Sequence, residues 1–139
     1  MSAMMVRGIE SARARLRRVE RFAVETARSL NGRQVKVAIP ESAVYPNGKK
    51  VRDVAMFVEY GTANMAPRPF MREARAENHS KWWNAIRRGV SQVARGETTV
   101  DAALETVGEM VKADIQNAIT DCDAVDTGRL RSSFEVQVQ

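Results

Sequence analysis

Three groups of side chains in this sequence are of the types from which chemistry is built. The first is His79, the only histidine, which a serine or cysteine nucleophile would need beside it as a base. It stands inside a charged stretch with helical character, where a solvated side chain is the ordinary outcome. The second is Asp121, Asp123 and Asp126, whose oxygens invite a calcium ion. The glycine and distal glutamate of an EF-hand loop are missing at the required spacing, with Ser132 where that glutamate should stand, so a solvated turn is the better reading. The third is Cys122, which as the only cysteine excludes an internal disulfide and a cysteine-based metal site. The glycines are scattered and none joins a GK[ST] element that would cradle phosphate. No catalysis, metal or cofactor is therefore expected.

Two motifs stand out instead. Glu59-Tyr60-Gly61-Thr62 is followed, after a short loop, by Pro67-Arg68-Pro69-Phe70-Met71-Arg72. The two prolines fix φ and remove two donors, so the segment between Gly61 and Phe70 must be extended and exposed. Near the other end stands Val125-Asp126-Thr127-Gly128-Arg129-Leu130-Arg131-Ser132-Ser133-Phe134. Asp126 or Thr127 is placed to cap a short helical turn through Ser133, and Gly128 supplies backbone freedom.

The elements that must position these motifs follow from periodicity. From Gly8 to Leu30, Ile9, Ala12, Leu16, Val19, Ala23, Ala27 and Leu30 share one face of a helix whose far side carries Arg17, Arg18 and Arg21. That basic side reads either as a solvated face or as a surface for phosphate or an acidic partner. Phe22 lies off the core stripe among arginines and is a candidate inter-subunit contact. Gln34 to Ile39 alternates as a half-buried strand ended by Pro40, and Asn47-Gly48 marks a hairpin tip. Residues 53 to 60 fit a strand or a helix, and a short helix capped by Asp53 and ended by Gly61 is preferred. Glu59 then sits at the unfavourable end of the helix dipole and needs a partner, for which Arg68 is nearest.

A long helix is expected from about Phe70 to Arg95, with Met71, Trp82, Ala85, Ile86, Gly89 and Val93 on its core side. Trp83 points about 100° away from Trp82 and is left for another element or subunit. Thr98 and Asp101 form a plausible capping pair for a third helix from about Val100 to Cys122, whose apolar arc is Val100, Leu104, Val107, Val111, Ile115, Ala118 and Cys122. A terminal strand over Phe134, Val136 and Val138 should pair with residues 34 to 39. The fold class is α+β, three main helices packed on a small antiparallel sheet, in one domain over residues 1–139.

With 139 residues, 44% hydrophobic and 28% charged, the composition is globular, and the longest apolar run, Val54 to Val58, is far short of a membrane span. Residues 1–5 lack a signal peptide's apolar region, so a soluble protein made in a cytoplasm is expected. The net charge of +5 lies wholly in residues 1–33, which hold eight Arg against three Glu. Residues 97–126 carry eight acidic side chains against Lys112 alone, a polarity that suits docking of complementary surfaces as well as nucleic acid.

The first motif resembles the "EFGT…P.RPF.RPA" signature of the phage tail-completion family, which includes the lambda-type minor tail proteins, and the second is similar to that family's "VDTG.LR.S." segment. Together they cover about a quarter of the chain. In many relatives that segment either comes early in the chain or follows a long basic insertion, whereas here only Asp123 and Ala124 separate it from the third helix. The resemblance implies a non-enzymatic virion protein of the neck: a ring of six subunits on the tail tube, meeting a tail terminator and the head-tail connector, with DNA passing its lumen. It implies subunit or partner contacts at Glu59, Gly61, Thr62, Arg68, Phe70, Asp126, Thr127, Gly128 and Arg129. A tail terminator, a connector stopper and a basic nucleic-acid-binding module stay open beside it.

Overall fold

The structure is a computed structural model that describes residues 11–15, 17, 28, 30–122 and 128–139. Phe22, Arg18, Arg21, Asp126 and Thr127 lie outside the described residues, while residues 11–15, 17, 28 and 30 are helical and Arg17 is exposed. After them the order is β1 (Val35–Ala38), α1 (Val51–Tyr60), α2 (Phe70–Ala94), α3 (Val100–Asp121), α4 (Arg129–Ser132) and β2 (Glu135–Val138). The fold is α+β, with helices packed on a two-stranded antiparallel sheet.

The alternating valines that make the strands also set their register. Val35 faces Val138 and Val37 faces Val136, and the apolar face so formed lies against α3. At the crossing α3 carries Gly108, where a Cβ would come within 2.4 Å of Val136 Cγ1 and 2.7 Å of Val35 Cγ2. The absent side chain is what lets helix and sheet meet so closely. Helices α2 and α3 form an antiparallel hairpin in which Gly89 approaches Ala103 and Asp114 bridges the indole Nε1 of Trp82 (2.8 Å) and Lys81 Nζ (2.9 Å). That bridge joins the basic flank of α2 to the acidic flank of α3.

The core gathers Val51, Phe70, Ile115, Ile119, Leu130 and Phe134 from every layer, with the Phe70 and Phe134 rings edge to face at 6.4 Å. Burying Phe70 alone contributes about 2–3 kcal/mol.

Three local expectations are corrected. Helix α1 starts at Val51 with Lys50 at its N-cap and no side-chain cap, so Asp53 lies inside the first turn, where its charge still favours the dipole. The N-cap of α3 is Thr99, whose hydroxyl accepts from Ala102 N–H at 3.2 Å, while Asp101 pairs with Arg33. Met71 is exposed rather than core, because the inward positions at the start of α2 fall on Phe70 and Ala74. Among the described residues no helix is long and apolar enough to cross a membrane.

Candidate functional site

Helix α1 is inverted in its last turns. Its stripe at i, i+4, i+8 is Val51, Ala55 and Glu59, all buried, while Met56, Phe57 and Tyr60 are 55%, 52% and 61% exposed. The one carboxylate of the last turn is thus inside and three large apolar side chains are outside. Such a local conflict between pattern and environment marks strain or function.

What Glu59 does inside explains half of the inversion. Pro69 occupies the N-cap of α2 and has no side-chain acceptor, so the first N–H groups of that helix need partners from elsewhere. Phe70 N–H reaches Arg68 O at 2.8 Å across Pro69, whose φ of −80° and ψ of 63° make an inverse γ-turn. Glu73 N–H reaches Pro69 O at 2.9 Å. The two between them go to Glu59, with Met71 N–H donating to Oε2 at 2.9 Å and Arg72 N–H to Oε1 at 3.0 Å. A carboxylate at the wrong end of one helix dipole is therefore at the right end of the next.

The side chain of Arg72 completes the clamp, its Nε bonding Glu59 Oε1 at 3.0 Å while its guanidinium lies 4.9 Å from the Tyr60 ring centroid. This corrects the expected pairing of Glu59 with Arg68. Arg68 is closer in sequence, but its backbone N–H is tied to Val58 O at 2.7 Å, and the helical turn of α2 brings Arg72 back over α1.

The loop between the helices is fixed by similar means. Gly61 ends α1 at φ 76°, donating to Phe57 O at 2.7 Å, and a Cβ there would lie 2.8 Å from Met65 O and 2.9 Å from Pro67 N. Thr62 and Met65 exchange backbone bonds of 2.9 and 3.3 Å, and Thr62 Oγ1 accepts from Asn64 N–H. The result is a tight, braced projection on which Met65 is exposed.

Glu59, Gly61, Phe70 and Arg72 of the first motif thus have internal tasks. Glu59 and Phe70, expected among the contact residues, are 5% and 1% exposed and hold the loop from within the chain. The described part of the second motif begins at Gly128, the N-cap of α4 at φ 78°. Arg129 Nη1 donates to Val44 O at 3.2 Å, near the start of α1, and Phe134 joins this motif to the first through Phe70. Trp83 is 49% exposed, away from the core as expected, and its Nε1 donates to His79 Nε2 at 2.9 Å.

The groups with chemical potential are occupied by structure. Cys122 Sγ–H donates to Glu73 Oε2 at 2.8 Å, and burial together with that carboxylate pushes the thiol up to about 11, far from a thiolate nucleophile. Among the described residues no group of three His, Cys, Asp or Glu side chains is arranged to hold a metal ion.

Sequence reasoning missed the apolar patch of Met56, Phe57 and Tyr60. The signal was present: once Val51, Ala55 and Glu59 are set on one face, those three positions must turn outward. Comparison of the chain with protein-family models, with curated proteins and with solved structures gives no match.

Proposed function

We propose that this chain is a non-enzymatic structural subunit of a phage neck, of the tail-completion kind, acting in a homo-oligomeric ring between the tail tube and the head connector. The observation that carries the reading is the inverted helix α1. Its buried carboxylate and the braced Gly61–Pro69 loop hold Met56, Phe57, Tyr60 and Met65 outward on a rigid base, which is how a partner surface is preorganised.

The two motifs that resemble the tail-completion signature support the same reading. A closed ring makes heterologous contacts, so each subunit needs two different surfaces. The apolar patch on α1 supplies one, and the charge polarity between residues 1–33 and α3 supplies complementary flanks for orientation. On this reading the partners are further copies of the chain, a tail terminator or tube protein, and connector proteins, with DNA passing without sequence-specific contact.

The exposure of Arg13, Arg15, Arg17 and Arg28 favours a second reading, a basic module that holds nucleic acid. Electron microscopy of particles carrying a tagged copy separates the two. A ring at the head-tail joint is the expected result. A protein away from the joint, with duplex binding that falls steeply as salt rises and is lost when Arg13, Arg15 and Arg17 are changed to Gln, would replace the neck reading with the second.

A further inference from the structure

One edge of β1 carries no strand among the described residues. Gln34 and Gln139 exchange backbone bonds of 3.0 and 2.9 Å, which sets the alternation of the antiparallel pair. Gln34, Lys36 and Ala38 therefore bond toward β2, while Val35, Val37 and Ile39 turn N–H and C=O to the opposite edge. Arg52 takes the Ile39 carbonyl through Nη2 at 2.9 Å and Nε at 3.2 Å. No backbone bond reaches Val35 or Val37 on that edge among the described residues.

A groove of about 740 Å³ runs beside this edge. Its floor is Phe70, Val111, Ile115 and Phe134, and its rim carries Arg52, Arg72 and Arg75. Among the described residues that line it the only carboxylate is Glu59, already committed to Arg72 and the start of α2, and Arg75 pairs with no carboxylate among the described residues. Lys36 adds a further cation on the exposed face of β1.

We propose that this edge and groove take an extended, acidic strand of another protein chain as a third strand of the sheet. The open donors and acceptors at Val35 and Val37 recur every second residue, the spacing an extended peptide matches. Alternate apolar side chains of that strand cover the floor, and the carboxylates between them meet the arginine rim. A phosphodiester chain satisfies the arginines but neither the apolar floor nor the strand edge. This inference concerns the chemistry of a bound strand and stands independently of the neck reading.

The test uses the full chain, amide hydrogen exchange, and a labelled peptide alternating valine with glutamate. In the free protein the amides of Val35 and Val37 exchange fast while those of Lys36 and Ala38 are protected, and the peptide slows Val35 and Val37. A peptide with lysine in place of glutamate binds roughly tenfold more weakly, and Arg75→Glu weakens the glutamate peptide about fivefold without changing the melting temperature. Four results overturn the proposal. They are protection of Val35 and Val37 in dilute free protein, protection that grows with protein concentration because a second copy is the occupant, equal binding of the two peptides, and no binding at about 1 mM peptide.

Discussion

Arg72 holds Glu59 from two sides, its Nε donating to the carboxylate at 3.0 Å and its Nη2 to the Glu59 backbone carbonyl at 2.6 Å. With the N–H groups of Met71 and Arg72 on the same carboxylate, the end of α1 and the start of α2 are fastened through a single side chain. The proline loop between them is then a consequence of the clamp, held at both ends and free to present its own side chains.

The clamp is asymmetric, and its two halves should fail differently. Glu59→Ala leaves two partly buried N–H groups and the Nε of Arg72 without their acceptor, and should cost about 3 kcal/mol. The Arg72 side chain is 55% exposed, and its removal leaves Glu59 still bonded to both N–H groups, so Arg72→Ala should cost about 1 kcal/mol. Urea unfolding of the two variants measures the difference. Equal losses would show that the charge pair, not the capping of α2, carries the clamp.

Gly61 and Gly96 share a positive φ, at 76° and 73°, but differ in surroundings. A Cβ at Gly61 meets Met65 O and Pro67 N, whereas at Gly96 nothing lies within 4 Å. Gly96→Ala should cost about 1 kcal/mol from backbone strain alone, and Gly61→Ala roughly 2 kcal/mol more as the loop is forced open. Thermal melts of both variants supply the comparison, and similar shifts would mean that the loop yields without resistance.

The legible parts of this fold were those with one dominant period. Residues 100–122 have the apolar spacing of a helix and little else, and β1 and β2 alternate clearly, so helix, strands and their pairing were readable. Residues 53–60 carry both periods, and only Gly61 as a stop tipped them to a helix. The partner of Glu59 was misread because nearness in sequence favoured Arg68, while the deciding feature was two N–H groups left without acceptors by Pro69 at the N-cap. That one edge of β1 is open among the described residues was not legible at all, since nothing local says which element lies beside a strand.

Gly108 was equally silent, because a glycine within a helix reads only as a propensity cost. Gly108→Ala improves helix propensity by about 1 kcal/mol, yet should destabilise the protein by about 1–2 kcal/mol net, since the new methyl strikes Val136 and Val35. Gly89→Ala, whose Cβ would sit 3.4 Å from Ala103 Cβ, should be neutral or stabilising. Opposite signs in a denaturation series would confirm that α3 is seated on the sheet at Gly108.

Cys122 should give a pH signature. Burial first, then the hydrogen bond and charge of Glu73, raise its thiol from 9.0 to about 11. The folded state keeps the proton longer than the unfolded chain, so its contribution to stability is complete below pH 9 and is lost as pH rises through 11. Iodoacetamide labelling at pH 8 should run on a thiolate fraction roughly a hundredfold below that of a free cysteine. Glu73→Gln should lower the midpoint of the labelling profile while leaving it above 9.0, because burial is the larger cause. A parent midpoint at 9.0 would place the thiol in open water.

The exposed face of α1 separates assembly from folding. Met56, Phe57 and Tyr60 are each more than half exposed, so changing all three to serine removes little buried area and should shift stability by no more than about 1 kcal/mol. If these side chains form the surface on which a neighbouring subunit or tail protein seats, the same variant should melt like the parent and yet fail to enter particles. Trp83→Ser is the control, since Trp83 is also exposed but lies away from α1 and bonds within its own helix to His79. Particle incorporation, followed by infectivity and by microscopy of the neck, reads out both. Incorporation of the triple variant at the parent level would remove α1 from the interface, whereas loss of both variants alike would mean that the assembly surface spans more than one face.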